Sequence, residues 1–171
     1  DAREAINADT ALVTVMHANN ETGVLQPITE LSVLAHAAGA LMHTDAAQSV
    51  GKVPVNVKVL GVDFLSIAGH KLYAPKGVGA LFARRGMQLI PLNYGAGQEH
   101  GLRSGTENVA SLVGLGMACD IAARDLEAVA NRLRGLRDTL WNQLASLVPG
   151  LALNGHPTLR LPNTLNVRFP G

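Results

Sequence analysis

The stretch Ala68–Gly86, AGHKLYAPKGVGALFARRG, follows directly on an apolar run, DFLSIAG (63–69), and contains most of another, GVGALFARR (77–85). Each run has the length and apolar character of a buried strand, and Lys71 stands in the turn between them. Further upstream, TALVTVMH (10–17) and ALMHTDAA (40–47) have the same character. Between those two lies PITELSVLAHAAG (27–39), with Pro27 near the start of a helix and Gly39 after its end. KVPVNVKVLGVD (52–63) is a crossover with Pro54 and a short helical turn around Val57–Leu60. Strand, helix, strand, crossover, strand predicts an α/β fold with a mainly parallel sheet covered by helices on both faces.

Placement along this pattern is more informative than any one residue. Asn20, Asp45 with Gln48, and Lys71 each fall just past the carboxyl end of successive strands, the edge at which open α/β sheets bind ligands. A lysine there is either a surface residue held by a turn or, if partly desolvated, an amine able to attack a carbonyl. Asp45 is either a helix N-cap or the carboxylate that keeps a pyridine nitrogen protonated, as a pyridoxal phosphate site requires. Asn20, in NNETG (19–23), is either a turn residue or a ligand for that ring or for a substrate carboxylate. His70 has an ordinary structural reading beside the lysine.

Composition narrows the partners. The 171 residues are 47% hydrophobic and 16% charged, with a net charge of +1 and no basic run, so neither nucleic acid nor an anionic membrane is expected as a partner. No apolar stretch approaches the ~20 residues needed to span a bilayer. Cys119 is the single cysteine, so no internal disulfide is possible, and a reducing cytoplasm is the expected location. It is read as a buried helix residue. The six histidines show no metal-ligand spacing, and neither a Walker A loop nor a G-x-S-x-G elbow occurs. No metal is expected.

LNYGAGQEHGLRSGTEN (92–108) is a long Gly-rich loop of the kind that tends to be functional or disordered. In a helical region from about Asn108 to Leu147, residues Leu126, Val129, Leu133, Leu136, Leu140, Leu144 and Leu147 recur at spacings of three and four, giving one apolar helical face. Gly114, Gly116 and Gly135 weaken the expectation of one straight helix. LALNGHPTLRLPNTLNVRFPG (151–171) alternates strand-like runs with turns.

The segments MHANNETGVLQPI (16–28), HTDAAQSVGK (43–52), LSIAGHKLYAPKGVGALFARRG (65–86) and GAGQEHGLRSGTENVASLVGLG (95–116) resemble, in order, the NifS/IscS-like cysteine desulfurases of the class V aminotransferase family. GLRSGTEN is the most specific of them. The resemblance implies the PLP-dependent transferase fold type I: residues 1–107 as the second half of a large domain, 108–148 as a linker helix region, and 149–171 as the start of a small α+β domain.

It further implies pyridoxal 5'-phosphate as cofactor, with Lys71 as the Schiff-base lysine and Asp45 as the partner of the pyridinium nitrogen. Gln48 would bond the phenolic oxygen with Asn20 beside it, and His70 would lie by the phosphate. Thr106 would reach the phosphate of the neighbouring subunit's cofactor in a homodimer. The implied activity releases sulfur from L-cysteine to give L-alanine and an enzyme persulfide, which serves a sulfur-acceptor protein in iron–sulfur cluster or thio-cofactor assembly.

A selenocysteine or cystine lyase would share these residues, and a non-catalytic relative could keep the fold. Ala68 departs from the family pattern, which commonly has a phosphate-binding serine there, and Ala96 replaces a frequent glycine. The sulfur-accepting cysteine and the arginine for the substrate carboxylate are expected beyond Gly171. An internal piece of a longer protein, inactive by itself, is therefore expected.

Overall fold

The computed structural model describes residues 1–171. Its four short β-branched and apolar runs form one sheet in chain order: β1 (Leu12–Met16), β2 (Leu41–Asp45), β3 (Phe64–Ala68) and β4 (Gly79–Ala83). β1, β2 and β3 are parallel, and β4 returns antiparallel to β3. The return is tight: a Cβ on Gly79 would stand 2.6 Å from the Ile67 carbonyl oxygen, so the hairpin closes only with glycine there.

A one-turn helix, α1 (Ala2–Ala5), opens the chain on a capping box between Asp1 and Glu4. α2 (Ile28–Ala37) makes the first crossover and α3 (Val57–Leu60) the second, the latter capped by Asn56, whose Oδ1 accepts from the Lys58 and Val59 amides. Both pack on one face of the sheet, where Ile28, Ala35, Met42, Leu60, Val62 and Leu65 form the core. The coverage expected on both faces is not found. On the opposite face Leu12, Met16, Leu41 and Leu81 are 36–54% exposed, because neither crossover helix reaches that side.

The Gly-rich loop leads into α4 (Val109–Leu147), 39 residues in a single helix despite its three glycines. Asn108 caps it by accepting from the Ser111 amide. Gly114 has a packing role, since a Cβ there would lie 2.9 Å from Pro75. The apolar stripe read from the sequence is present, but Leu115 is the only buried residue of the helix. A two-stranded antiparallel ribbon, β5 (Ala152–Leu153) with β6 (Val167–Arg168), closes the chain.

Asp63, at the amino end of β3, is fully buried and joins three elements. Its Oδ2 accepts from the Met42 amide (2.7 Å) and lies 2.8 Å from His36 Nε2, and Oδ1 pairs with Arg84 Nη2 at 2.6 Å. Burial pushes its pKa up, but the Met42 amide, His36 and Arg84 together outweigh that and hold it below the usual carboxylate range. A carboxyl with a depressed folded-state pKa stabilises above its unfolded value, and that contribution disappears as pH falls through the folded value. Asp63→Ala, which leaves the buried Met42 amide unpaired while Arg84 and His36 stay solvated, is expected to cost about 1–3 kcal/mol in urea denaturation at neutral pH, with a smaller difference from the parent in acid.

Candidate active site at the carboxyl edge of the sheet

The parallel register places Met16 beside Asp45 and Asp45 beside Ser66. Two further backbone bonds, His17 N–H to Asp45 O (2.8 Å) and Ala46 N–H to Ser66 O (3.0 Å), carry the alignment past the strand ends. Loops distant in sequence therefore start side by side.

After β1 the chain turns on Asn19, whose Oδ1 accepts from the Glu21 and Thr22 amides and the Thr22 hydroxyl. Asn19 thus does the turn-forming work, and the Asn20 amide is exposed with no partner in the chain. Asp45 is the last residue of β2, and its Oδ1 accepts from the Ala47 amide (2.8 Å), a turn-forming bond and not a helix cap, since residues 47–50 are a turn. The other carboxylate oxygen makes no hydrogen bond. Asn20, Asp45 and Gln48 line one cleft of about 160 Å³ with Met16, Ala18 and Ala47.

Lys71 comes from the next strand end, in a 3₁₀ turn (Gly69–Leu72) that closes on Tyr73 at φ +63°. Such a left-handed tyrosine is a strained conformation for a non-glycine residue. Lys71 is exposed, so of the two readings open to it the surface lysine held by a turn is the one this chain shows. It lines a separate hollow of about 310 Å³, beside Lys52, Gly51, Leu72 and the α4 side chains Met117 and Ile121, and not the Asp45 cleft. His70 is exposed next to it. Thr106 is exposed in the Gly-rich loop and bonds to none of the other candidate residues. Ala68, half-buried at the end of β3, pairs with Gly79 and offers no hydroxyl.

Two positioning residues escaped the sequence reading. His17 is 93% buried, with Nδ1 2.9 Å from Ser49 Oγ. Because the Ser49 hydroxyl reaches Ala46 O (3.2 Å), the neutral ring donates to the serine oxygen and braces the turn that carries Asp45 and Gln48. Lys52 Nζ donates to Gln48 O (2.9 Å) from the other side, and burial, then the nearby Lys71 charge, push its pKa down. A histidine one residue past a strand and a lysine four after Gln48 were the available signals. Cys119 is half-buried on α4 rather than fully buried, and burial and then Asp120 raise its thiol pKa, the opposite of what an activated nucleophile needs. No group of three or more His, Cys, Asp or Glu side chains could hold a metal ion. No helix is long and apolar enough to cross a membrane.

The arrangement defines an α/β protein with a carboxylate, two free amides and an amine gathered at the carboxyl edge of its parallel strands. The chain belongs to the aminotransferase class-V family, whose profile matches residues 1–171. Cysteine desulfurase 2 of Trichormus variabilis is 51% identical over 165 residues, covering 96% of this chain and 41% of that protein. Among solved structures, a NifS-like protein superposes with a TM-score of 0.93 at 39% identity, over 98% of this chain and 46% of its own. SspA in complex with cysteine superposes with a TM-score of 0.82 at 37% identity, over 99% of this chain and 48% of its own. The chain thus spans less than half the length of the relatives it matches. These neighbours share the PLP-transferase type I architecture, and the α/β class read from the sequence holds.

Burial lowers the pKa of His17, so the folded state favours the neutral ring. Its contribution is complete above the unfolded value of about 6.5 and is lost as pH falls from there toward the lower folded value. His17→Gln is expected to flatten the decline of the urea midpoint between about pH 7 and pH 5.

Proposed function

We propose that this chain carries the lysine and ring-binding part of a pyridoxal-phosphate-dependent cysteine desulfurase, which takes sulfur from L-cysteine and leaves L-alanine. The observation that carries the reading is the company of Asp45, Gln48 and Asn20 in one cleft, with a free carboxylate oxygen and two unpartnered amides. That donor set suits a protonated pyridine ring with a phenolic oxygen; Lys71, at the neighbouring strand end, lines the adjoining hollow and would have to turn from it to attach the group covalently.

In this reading Asp45 holds a proton on the ring nitrogen, while Gln48 bonds the phenolic oxygen and Asn20 stands beside it near the substrate carboxylate. His70 lies by the phosphate, and Thr106 reaches the phosphate of a second subunit's cofactor in a homodimer. Bound there, the cofactor supplies an electron sink for charge developing at the amino acid's α-carbon. The Lys71 amine moves the proton at that carbon.

The chemistry balances without an external oxidant. The carbon–sulfur bond of cysteine breaks, and the sulfur passes to a thiol to form a persulfide. The former β-carbon takes a proton to become the alanine methyl group. The persulfide cysteine and the substrate-binding arginine belong to parts of the protein outside these residues, and a cytoplasmic sulfur-acceptor protein takes the sulfur onward. The proposed division is residues 1–107 in the large domain, 108–148 in the linker helix region and 149–171 in the small domain. Homology to named cysteine desulfurases, and to a neighbour solved with cysteine, supports the substrate.

Two outcomes test this in the complete protein. Lys71→Ala is expected to lose the visible absorption of lysine-bound cofactor and to cut cysteine-dependent sulfide release by at least about 10²-fold. Parental turnover in that variant would refute the assignment. Ala68→Ser, restoring a hydroxyl beside the phosphate, is expected to tighten cofactor affinity about tenfold or more, read by equilibrium titration of the apo-protein.

A further inference from the structure

Arg160 is 5% exposed, and its surroundings do not satisfy it. Nη2 donates to the Thr22 carbonyl at 2.7 Å, while Nε and Nη1 are buried without an acceptor. Arg137, whose charge acts on Arg160, is engaged with Asp138 (2.7 Å) and with Leu161 O (2.9 Å). A buried cation with two idle donors is a net cost that an apolar side chain of similar length would avoid.

Its single bond lands on the turn that presents Asn20. Around that bond the tail and the turn are joined along their length. Leu25 N–H donates to Leu159 O (3.0 Å), Leu161 N–H to Gly23 O (2.8 Å), and Asn166 Nδ2 to Glu21 O (3.2 Å). Approach is close enough that a Cβ on Gly155 would sit 2.5 Å from Val24 Cγ2, and one on Gly23 would sit 2.7 Å from Thr164 Cβ. Asn19 closes the turn from within, so Arg160 acts on its far side, and Asn20 is placed only through the backbone between them. Arg137, through Leu161 O, ties the same tail segment to α4.

We propose that Arg160 is a positioning residue: by clamping the Thr22 carbonyl it sets where the Asn19–Gly23 turn, and hence the Asn20 amide, stands beside Asp45 and Gln48. The tail that bears it is thereby coupled to the cleft. The catalytic consequence rests on the function proposed for Asn20, whereas the clamp itself does not.

The test compares Arg160→Met, Asn20→Ala and the double variant in the complete, cofactor-loaded protein, with amide exchange, cofactor absorption and steady-state kinetics as readouts. Arg160→Met is expected to speed exchange at Gly23 and Leu25 selectively and to shift the cofactor band in the same sense as Asn20→Ala. It should raise KM for L-cysteine about tenfold, the worth of one hydrogen bond, with little added effect on top of Asn20→Ala. A lower melting temperature with exchange at 19–25 unchanged relative to the rest, or full additivity with Asn20→Ala, would overturn the proposal. If Arg160→Met does not fold, Arg160→Lys, which keeps the charge but loses the planar fork, carries the same comparison. A parent without cysteine turnover whose Arg160 variant still shows exchange speeded only at the turn would sink the desulfurase reading and leave the clamp standing.

Discussion

The parallel ladder that sets Met16, Asp45 and Ser66 side by side is the constraint from which the site follows. Parallel strands need a crossover between each pair, so all of their carboxyl ends fall on one edge. Once His17 and Ala46 extend the ladder by one bond each, the loops after β1 and β2 have a fixed separation. Asn20, Asp45 and Gln48 meet in a cleft for that reason, although 28 positions separate the first from the last. Lys71 belongs to the same edge but faces the neighbouring hollow, because its 3₁₀ turn carries it toward α4.

At this edge the residues that build the turns and the residues left free differ. Asn19 satisfies three donors so that Asn20 need satisfy none, and Asp45 spends one oxygen on its own turn and keeps the other. Ser49 and His17 brace the turn from beneath. The opposite edge is different in kind: both oxygens of Asp63 are engaged by β2, α2 and the residue after β4. Asp63 Oδ2 takes the hydrogen bonds of this network and Oδ1 only the Arg84 ion pair, so the amino edge is anchored chiefly through Oδ2, while the unpartnered polar groups at the carboxyl edge are available to a ligand.

Much of the surface is unusual for a chain of this mass. The accessible area is 10941 Å², against about 8,000 Å² for a compact monomer of this size. α4 is about 58 Å long by its residue count, and Leu115 is its only buried residue. Exposed Leu136, Leu140 and Leu147 continue the apolar stripe with nothing of this chain against them. Patterning dictates which face of a helix is apolar, but only neighbouring elements decide whether that face is covered.

The sequence by itself determined the elements and their order. β-Branched apolar runs, Pro27 and Gly39 are local signals, and local sterics and hydrogen bonding read them without help from distant residues. The same logic placed Asn20, Gln48 and Lys71 just past strand ends; Asp45 is instead the last residue of β2. Tertiary structure alone decided that one sheet face is open, that three glycines do not break α4, and that Asn19 and not Asn20 forms the turn. It also decided the partners of Asp63, His17 and Arg160, which lie from 21 to 138 residues away along the chain. Such pairings follow from which backbones approach in space, and no local spacing rule encodes that distance.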